Sequence, residues 1–260
     1  MQIIKNICNY RELLKSNVKK DIRGRYKGSF LGVLWSFINP LLQVVVYWIV
    51  FPYLFRGAGI DNYLVYLITG IIPWNFFLVV ITGGTTAIKG NAGIIKKVYF
   101  PREILLISQV LSGLVNFLIS CVIILIFCIG TGEGVSIYLA TLPLLALIQA
   151  ILNLGLIFIL GAINVYVQDI EHIVGFVLQM GFYATPVIYS LNMLPTSSLL
   201  YKLISLNPMT IIINAYRDAF LYQCWPNFLS LFGVLVFSLL VLVIGYFIFR
   251  KLEKGFAEVL

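Results

Sequence analysis

Apolar positions along this chain fall into long runs bounded by charge, not into the short alternations of strands. Phe30–Phe55 lies between Lys27 and Arg56, and Asn62–Ile88 between Asp61 and Lys89. Ile104–Gly132 and Gly134–Gln168 follow on either side of Glu133. Ile173–Tyr201 ends at Lys202, and Ala219–Phe249 ends at Arg250. Each exceeds the roughly 20 residues a helix needs to cross a hydrocarbon core about 30 Å thick. The pattern predicts an all-α integral membrane protein with six transmembrane helices. The fourth run is too long for one upright helix, and Pro143 is where its helix proper is expected to begin.

Two segments outside these runs have patterns of their own. Over residues 3–24, Ile7, Tyr10, Leu14, Val18 and Ile22 recur at steps of three or four, with Arg11, Lys15, Lys19, Lys20 and Arg23 off that stripe. This predicts an amphipathic helix. It either lies in the cytoplasmic membrane interface against membrane lipids or packs on a partner protein. After the fifth run, Pro186, Pro195 and Asn207-Pro208 punctuate a sequence that stays apolar to Tyr222. Two short helices broken near Asn207-Pro208 and re-entering the outer leaflet, within a gate segment 191–222, fit that punctuation.

Composition agrees with the pattern. Hydrophobic residues make up 61% and charged residues 11% of the chain, against roughly 45–50% and about 25% in soluble domains. The charges also orient the spans. Lys5, Arg11, Lys15, Lys19, Lys20, Arg23, Arg25, Lys27, Lys89, Lys96, Lys97, Arg102, Arg250, Lys251 and Lys254 fall on one side. Only Arg56, Lys202 and Arg217 fall on the other. Basic residues concentrate on the cytoplasmic side, so both termini and the 89–103 loop are expected in the cytoplasm, in a multi-pass protein of the cell (inner) membrane. The net charge of +8 then reflects topology and anionic headgroups, with no nucleic acid partner implied. The first 27 residues hold no uninterrupted apolar region of the kind a cleavable signal peptide carries. Cys8, Cys121, Cys128 and Cys224 are expected as free thiols, since no pair within one chain shares an oxidising compartment.

The chemistry absent from the sequence is as informative. The one histidine, His172, lies beside Asp169 and Glu171 at a membrane boundary, where a solvated loop or an N-cap by Asp169 accounts for it. There is no metal-ligand spacing, nucleophile elbow or paired-carboxylate motif, so no catalytic residue and no metal site is expected. No span carries a charge away from its ends, as ion-coupled transporters usually do. No phosphate loop is present either, so energy for uphill transport has to enter through another subunit. The loop KGNAGIIKKVYFPRE, Lys89–Glu103, is the candidate entry point. It sets Ile94, Ile95, Val98, Tyr99 and Phe100 among Lys96, Lys97 and Arg102, and is expected as a short amphipathic helix ended by Pro101, its apolar residues exposed for docking.

Aromatic residues are the other surplus. Those near span ends fit an interfacial belt. Trp74, Phe76 and Phe77 lie too deep for one and would offer ring faces to sugars along a translocation path, with Tyr47 and Trp48 as further candidates.

Several segments, taken in order, resemble one family. DIRGRYKGSFLGVLWSFINPLLQ (Asp21–Gln43), GIIPWNFF (Gly70–Phe77), KKVYFPRE (Lys96–Glu103), NVYVQDI (Asn164–Ile170), ATPVIYS (Ala184–Ser190) and NPMT (Asn207–Thr210) are similar to the transmembrane subunit of ABC-2 type exporters. The likeness is specifically to exporters of lipid-linked O-antigen, capsular polysaccharide or teichoic acid. The resemblance covers nearly all of residues 1–260 as a single ABC-2 type transmembrane domain. It implies a homodimer with two ATP-binding subunits, which bind the ATP and Mg; no cofactor is implied in this chain. It also implies a translocation path at the dimer seam, gate helices around Pro186, Pro195, Asn207 and Pro208, and ATPase coupling through residues 94–103. The lipid-linked polysaccharide would enter near Arg23, Arg25 and Lys27, which would meet its diphosphate. In place of the family's Arg-Asp after the fourth span stands Gln168-Asp169, which removes a cation from that position. A permease for a hydrophobic drug or lipid shares this pattern. A channel or membrane transferase would need a polar pore ring or a carboxylate cluster, which the sequence lacks.

Overall fold

The computed structural model describes residues 2–24, 35–54 and 62–260. Among them every regular element is helical. Helices α1 (Gln2–Asn9) and α2 (Arg11–Gly24) precede α3 (Trp35–Leu54), α4 (Tyr63–Gly90) and the one-turn α5 (Ala92–Ile95). Then come α6 (Glu103–Gly130), α7 (Leu142–Tyr166) and α8 (Ile170–Ala184). Two shorter helices, α9 (Leu199–Leu206) and α10 (Pro208–Phe220), lead to α11 (Phe228–Leu252) and a last turn, α12 (Phe256–Val259). Helices dominate because each satisfies its own backbone hydrogen bonds, which a long apolar run cannot do with water.

Among the described residues, four helices are long and apolar enough to cross a membrane: α4, α6, α7 with its preceding turn, and α11 with the turn that follows it. As Pro143 suggested, α7 begins at Leu142, and a 3-10 turn over Ile137–Thr141 absorbs the excess of that run. The fifth run departs from expectation. Helix α8 stops after 15 residues, about 22 Å at 1.5 Å per residue. The residue before a proline is pushed out of the helical region, and Thr185, before Pro186, is extended at φ −113°, ψ 136°. The apolar part of α3 is also short, Ile38–Val50.

The first amphipathic segment is two helices, hinged at Tyr10, not one. Its stripe is turned inward on the protein itself: Leu14 is buried against Ile104 and Ile107 of α6, with Ile7, Tyr10 and Leu13 beside it. Lys15, Lys19 and Lys20 stay exposed on the other face.

Helix α4 is the axis of the bundle. In its most apolar stretch 72% of residues are buried, against 22% for α11. Two carboxamides of α7 tie it there. Gln149 Nε2 donates to the Pro73 carbonyl at 2.8 Å, and Asn164 Nδ2 to the Thr85 carbonyl at 3.0 Å. Between helices of equally apolar surface, such polar contacts and close backbone approach replace the hydrophobic drive of a soluble core. Close approach is extreme where α7 meets α11. A Cβ placed on Gly155 would lie 2.7 Å from the Leu242 backbone nitrogen, and one on Gly245 would strike the Gly155 carbonyl.

Filling that seam should separate the two helices. Gly155→Val is expected to cost about 1–3 kcal/mol through overpacking and to lower the thermal midpoint of the detergent-purified protein. Gly233→Ala, where nothing lies within 4 Å, should leave the midpoint unchanged or slightly higher. Equal midpoints for wild type and Gly155→Val would show that this contact does not hold the bundle.

Candidate functional site

Two constellations stand at opposite ends of α4. At the Gly90 end, the Lys89–Glu103 segment departs from the amphipathic helix the sequence predicts. The helix there is a single turn ending at Ile95, and Pro101 stands before α6. Ile95 and Phe100 are buried at 6% and 7% exposure, whereas Ile94, Val98 and Tyr99 are exposed, Tyr99 at 92%. With only one turn, the segment cannot present all five apolar side chains on one face, so two of them anchor it. The projecting ridge is Ile94, Lys96, Lys97, Val98 and Tyr99.

The far end of the segment, Arg102 and Glu103, is clamped by Glu253 and Asn6, which no sequence pattern singled out. Glu253 is buried after α11 and accepts from Arg250 Nη1 at 3.0 Å and from the Arg102 backbone N–H at 3.4 Å. Arg102 Nη1 donates to the Glu253 carbonyl at 2.9 Å. Glu103, fully buried, accepts from Asn6 Nδ2 at 2.8 Å. Arg102 and Glu103 therefore serve to hold the ridge between the first and last helices and do not project with it. An 940 Å³ cavity opens between these elements, lined in part by Asn6, Tyr99, Arg102 and Lys254.

At the Tyr63 end, the chain leaves α8 and runs non-helically through Pro186, Val187, Ile188 and Tyr189. Four successive carbonyls would be orphaned there, and each finds a side-chain donor. Arg217 of α10 donates Nη1 to Pro186 O and Nη2 to Val187 O, both at 2.7 Å. Tyr63 Oη donates to Ile188 O at 2.8 Å, and Tyr66 Oη to Tyr189 O at 2.7 Å. The Arg217 guanidinium also lies over the Tyr66 ring, 3.5 Å from its centroid, a cation–π contact strengthened by desolvation. Gly70 makes the room, since a Cβ there would lie 2.8 Å from Arg217 Nη2. The break before α10 falls where the sequence places it, with Asn207 Oδ1 capping the Met209 N–H at 3.0 Å and Pro208 opening the helix. Asn207 Nδ2 further donates to Thr185 Oγ1 at 3.0 Å. Pro195 lies between a 3-10 turn, Leu191–Met193, and α9.

Arg217 is thus a buried residue at 1% exposure, not the solvated outer-loop cation that a count of charges suggests. The signal available in the sequence was its register with Ile213 and Phe220 on one face of α10, both of them buried.

The remaining candidates are scattered. Trp74 and Phe76 are buried within the chain, Trp74 edge-on to Phe182 and Phe76 stacked on Phe117 at 5.1 Å. Phe77 packs on Trp74, and Tyr47 stacks on Phe182 at 5.9 Å. Trp48 is half exposed. Asp169 stands at the N-cap of α8 without a capping side-chain bond. Arg25 and Lys27 lie outside the described residues, and Arg23 lies on α2. All four cysteines are free thiols. Among the described residues, no group of three or more His, Cys, Asp or Glu side chains could hold a metal ion.

A family model for the ABC-2 type transporter matches residues 12–221. The chain belongs to the ABC-2 type transporter family. It is 33% identical over 258 residues to the O-antigen export system permease protein RfbA of Myxococcus xanthus, covering 99% of both chains. It is 35% identical over 251 residues to an O-antigen export system permease protein RfbA of Klebsiella pneumoniae, covering 96% of this chain and 95% of that one. More distantly, it is 22% identical over 239 residues to the polysialic acid transport protein KpsM of Escherichia coli, covering 91% and 92%. In this ABC-2 protein the exposed apolar face of α11, with Phe232, Leu240 and Phe247, suits a multi-pass membrane protein whose solvent there is lipid.

Replacing Arg217 should unlock the Tyr63 end of the bundle. Arg217→Leu leaves the Pro186 and Val187 carbonyls without donors, each costing about 1–3 kcal/mol when buried. Arg217→Lys is expected to recover only part of the loss, because one ammonium cannot reproduce the planar fork. Detergent thermal unfolding checks this: wild-type stability in Arg217→Leu would show that the carbonyls are satisfied in another way.

Proposed function

We infer that this chain is the permease subunit of an ATP-driven exporter, moving lipid-linked polysaccharide from the cytoplasmic side outward. The observation that carries this reading is similarity along 99% of both chains to an O-antigen export permease. Hydrolysis belongs to a separate nucleotide-binding subunit, which holds the ATP and Mg. In this reading α3 and α8 complete a six-span topology with both termini in the cytoplasm. The adjoining apolar faces of α3 and α8, with Val46, Trp48, Phe176 and Tyr183 exposed, meet a second copy of the chain, and two ATP-binding subunits serve the pair.

The mechanism follows from the placement of the two constellations on α4. The Ile94–Tyr99 ridge joins α4 to α6, each of 28 residues, or about 42 Å of helix. A partner that grips the ridge on nucleotide binding can move α4 as a rod, because the Glu253 and Glu103 contacts stop the segment from yielding alone. At its other end α4 carries Tyr63, Tyr66 and Gly70, on which Arg217 and the 186–189 backbone rest. Displacement of α4 therefore bears on α9 and α10, the gate segment of this proposal. Aromatic rings at Trp74, Phe76 and Phe77 lie between the two ends. Arg23, Arg25 and Lys27 would receive the diphosphate of the lipid anchor.

The test is copurification on a tag carried by this chain, coexpressed with its candidate ATPase. Wild-type chain is expected to bring down ATP hydrolysis. Val98→Ala with Tyr99→Ala should reduce the bound ATPase or polymer export at least tenfold while the permease still accumulates in the membrane. A stable permease that never recruits an ATPase, in cells whose surface polymer is unchanged by its removal, would refute the exporter reading.

A further inference from the structure

Between α3, α4 and α6 lies a cavity of 370 Å³ that neither the ridge nor the α10 lock uses. Its volume falls in the range of small-molecule sites, about 300–1,000 Å³. Its walls are unusual for the interior of apolar helices. Gln43, Asn75 and Asn116, one from each helix, converge on it with Ser120, beside the stacked rings of Phe76 and Phe117. Asn75 is twelve residues into α4 and Asn116 thirteen into α6, each near the middle of a 28-residue helix.

The carboxamides are poorly occupied by one another. Asn75 Nδ2 to Gln43 Oε1 and Gln43 Nε2 to Tyr47 Oη both stand at 3.5 Å, the long limit of a hydrogen bond. Both polar atoms of Asn116 are buried, with no hydrogen-bond partner among the described residues. A buried amide left so is destabilising; Gln149 and Asn164 each place their amide nitrogen on a backbone carbonyl, and Asn153, which leaves both atoms unpartnered as Asn116 does, lies outside the cavity. No acidic or basic side chain lines the cavity among the described residues, so it offers nothing to balance a phosphate or a carboxylate.

We propose that this cavity is a binding subsite for one neutral, hydroxyl-bearing sugar ring of the transported polymer. A carboxamide presents a donor and an acceptor side by side, which matches a hydroxyl that both gives and takes a hydrogen bond. The Phe76 and Phe117 rings supply the apolar wall on which the C–H face of a pyranose rests. Trp35 and Asn39, both exposed at the rim, continue the same chemistry at the opening. The inference rests on the polysaccharide-export reading and narrows it: the ring held here is uncharged, and Asn116 is a substrate contact.

The experiment uses cells in which this chain is the sole export permease, with the cell's own polymer as probe. A photo-crosslinking aromatic residue replaces Asn116, or in a control replaces Ile126, which is exposed on the same helix and does not line the cavity. Expected is a glycan-positive adduct at position 116 at least tenfold above that at 126. Asn116→Leu and, separately, Asn75→Leu should lower export about tenfold at normal membrane levels, with Asn116→Gln recovering part of it. Undiminished export in both leucine variants, or equal labelling at 116 and 126 during active export, overturns the subsite and leaves the exporter reading standing. Surface polymer that persists when the chain is removed overturns the exporter reading, and the subsite with it.

Discussion

Backbone carbonyls that leave a helix inside an apolar bundle must find donors, and in this protein those donors decide how the helices are placed. Proline at 186 ends α8 early and exposes the carbonyls of residues 186–189. Arg217, Tyr63 and Tyr66 answer all four. Because the two tyrosines belong to α4 and the arginine to α10, satisfying this stretch of backbone also fixes α10 against α4. The same device recurs inside the bundle, where Gln149 and Asn164 reach carbonyls of α4. Side chain to backbone bonding thus does between these helices what apolar burial does in a soluble core.

Helix α4 spans the bundle from one constellation to the other. One end continues into the exposed ridge, while the other supports α10 and the non-helical backbone. Its two flanks differ in character. Toward α7 the packing is backbone-close, with Gly84 accommodating Ile157, and the α7–α11 seam is closer still. Toward α3 and α6 the packing leaves a polar cavity. Even on that side α4 and α6 meet closely at Gly113, where a Cβ would strike the Val80 side chain.

The clamp at the ridge narrows what a partner can grip. Glu253 lies beyond the last long helix, yet it holds Arg102 in place, so the final residues of the chain set the posture of a segment some 150 positions earlier. Burial of Ile95 and Phe100 anchors the turn. What remains outside is small, basic and tipped by Tyr99.

Membership of the fold class was legible in the sequence because long charge-free runs in lipid favour helices, which satisfy their own backbone, and a proline often marks a helix end, although Pro73 sits inside α4. Pro143, Pro186 and Asn207-Pro208 each stand where a helix begins or stops, as local chemistry requires. The amphipathic stripe of residues 7–22 was legible as well, but not the surface it covers, since an apolar stripe is indifferent to whether lipid, a partner or α6 receives it. Arg217 could not be placed by counting charges. Its burial depends on carbonyls thirty residues away, and on the space left by Gly70. The length of the ridge, the grip of Glu253 and the convergence of Gln43, Asn75 and Asn116 were likewise decided only by tertiary structure. Each joins residues from different helices, and the spacing of residues within one helix carries no information about the face of the next.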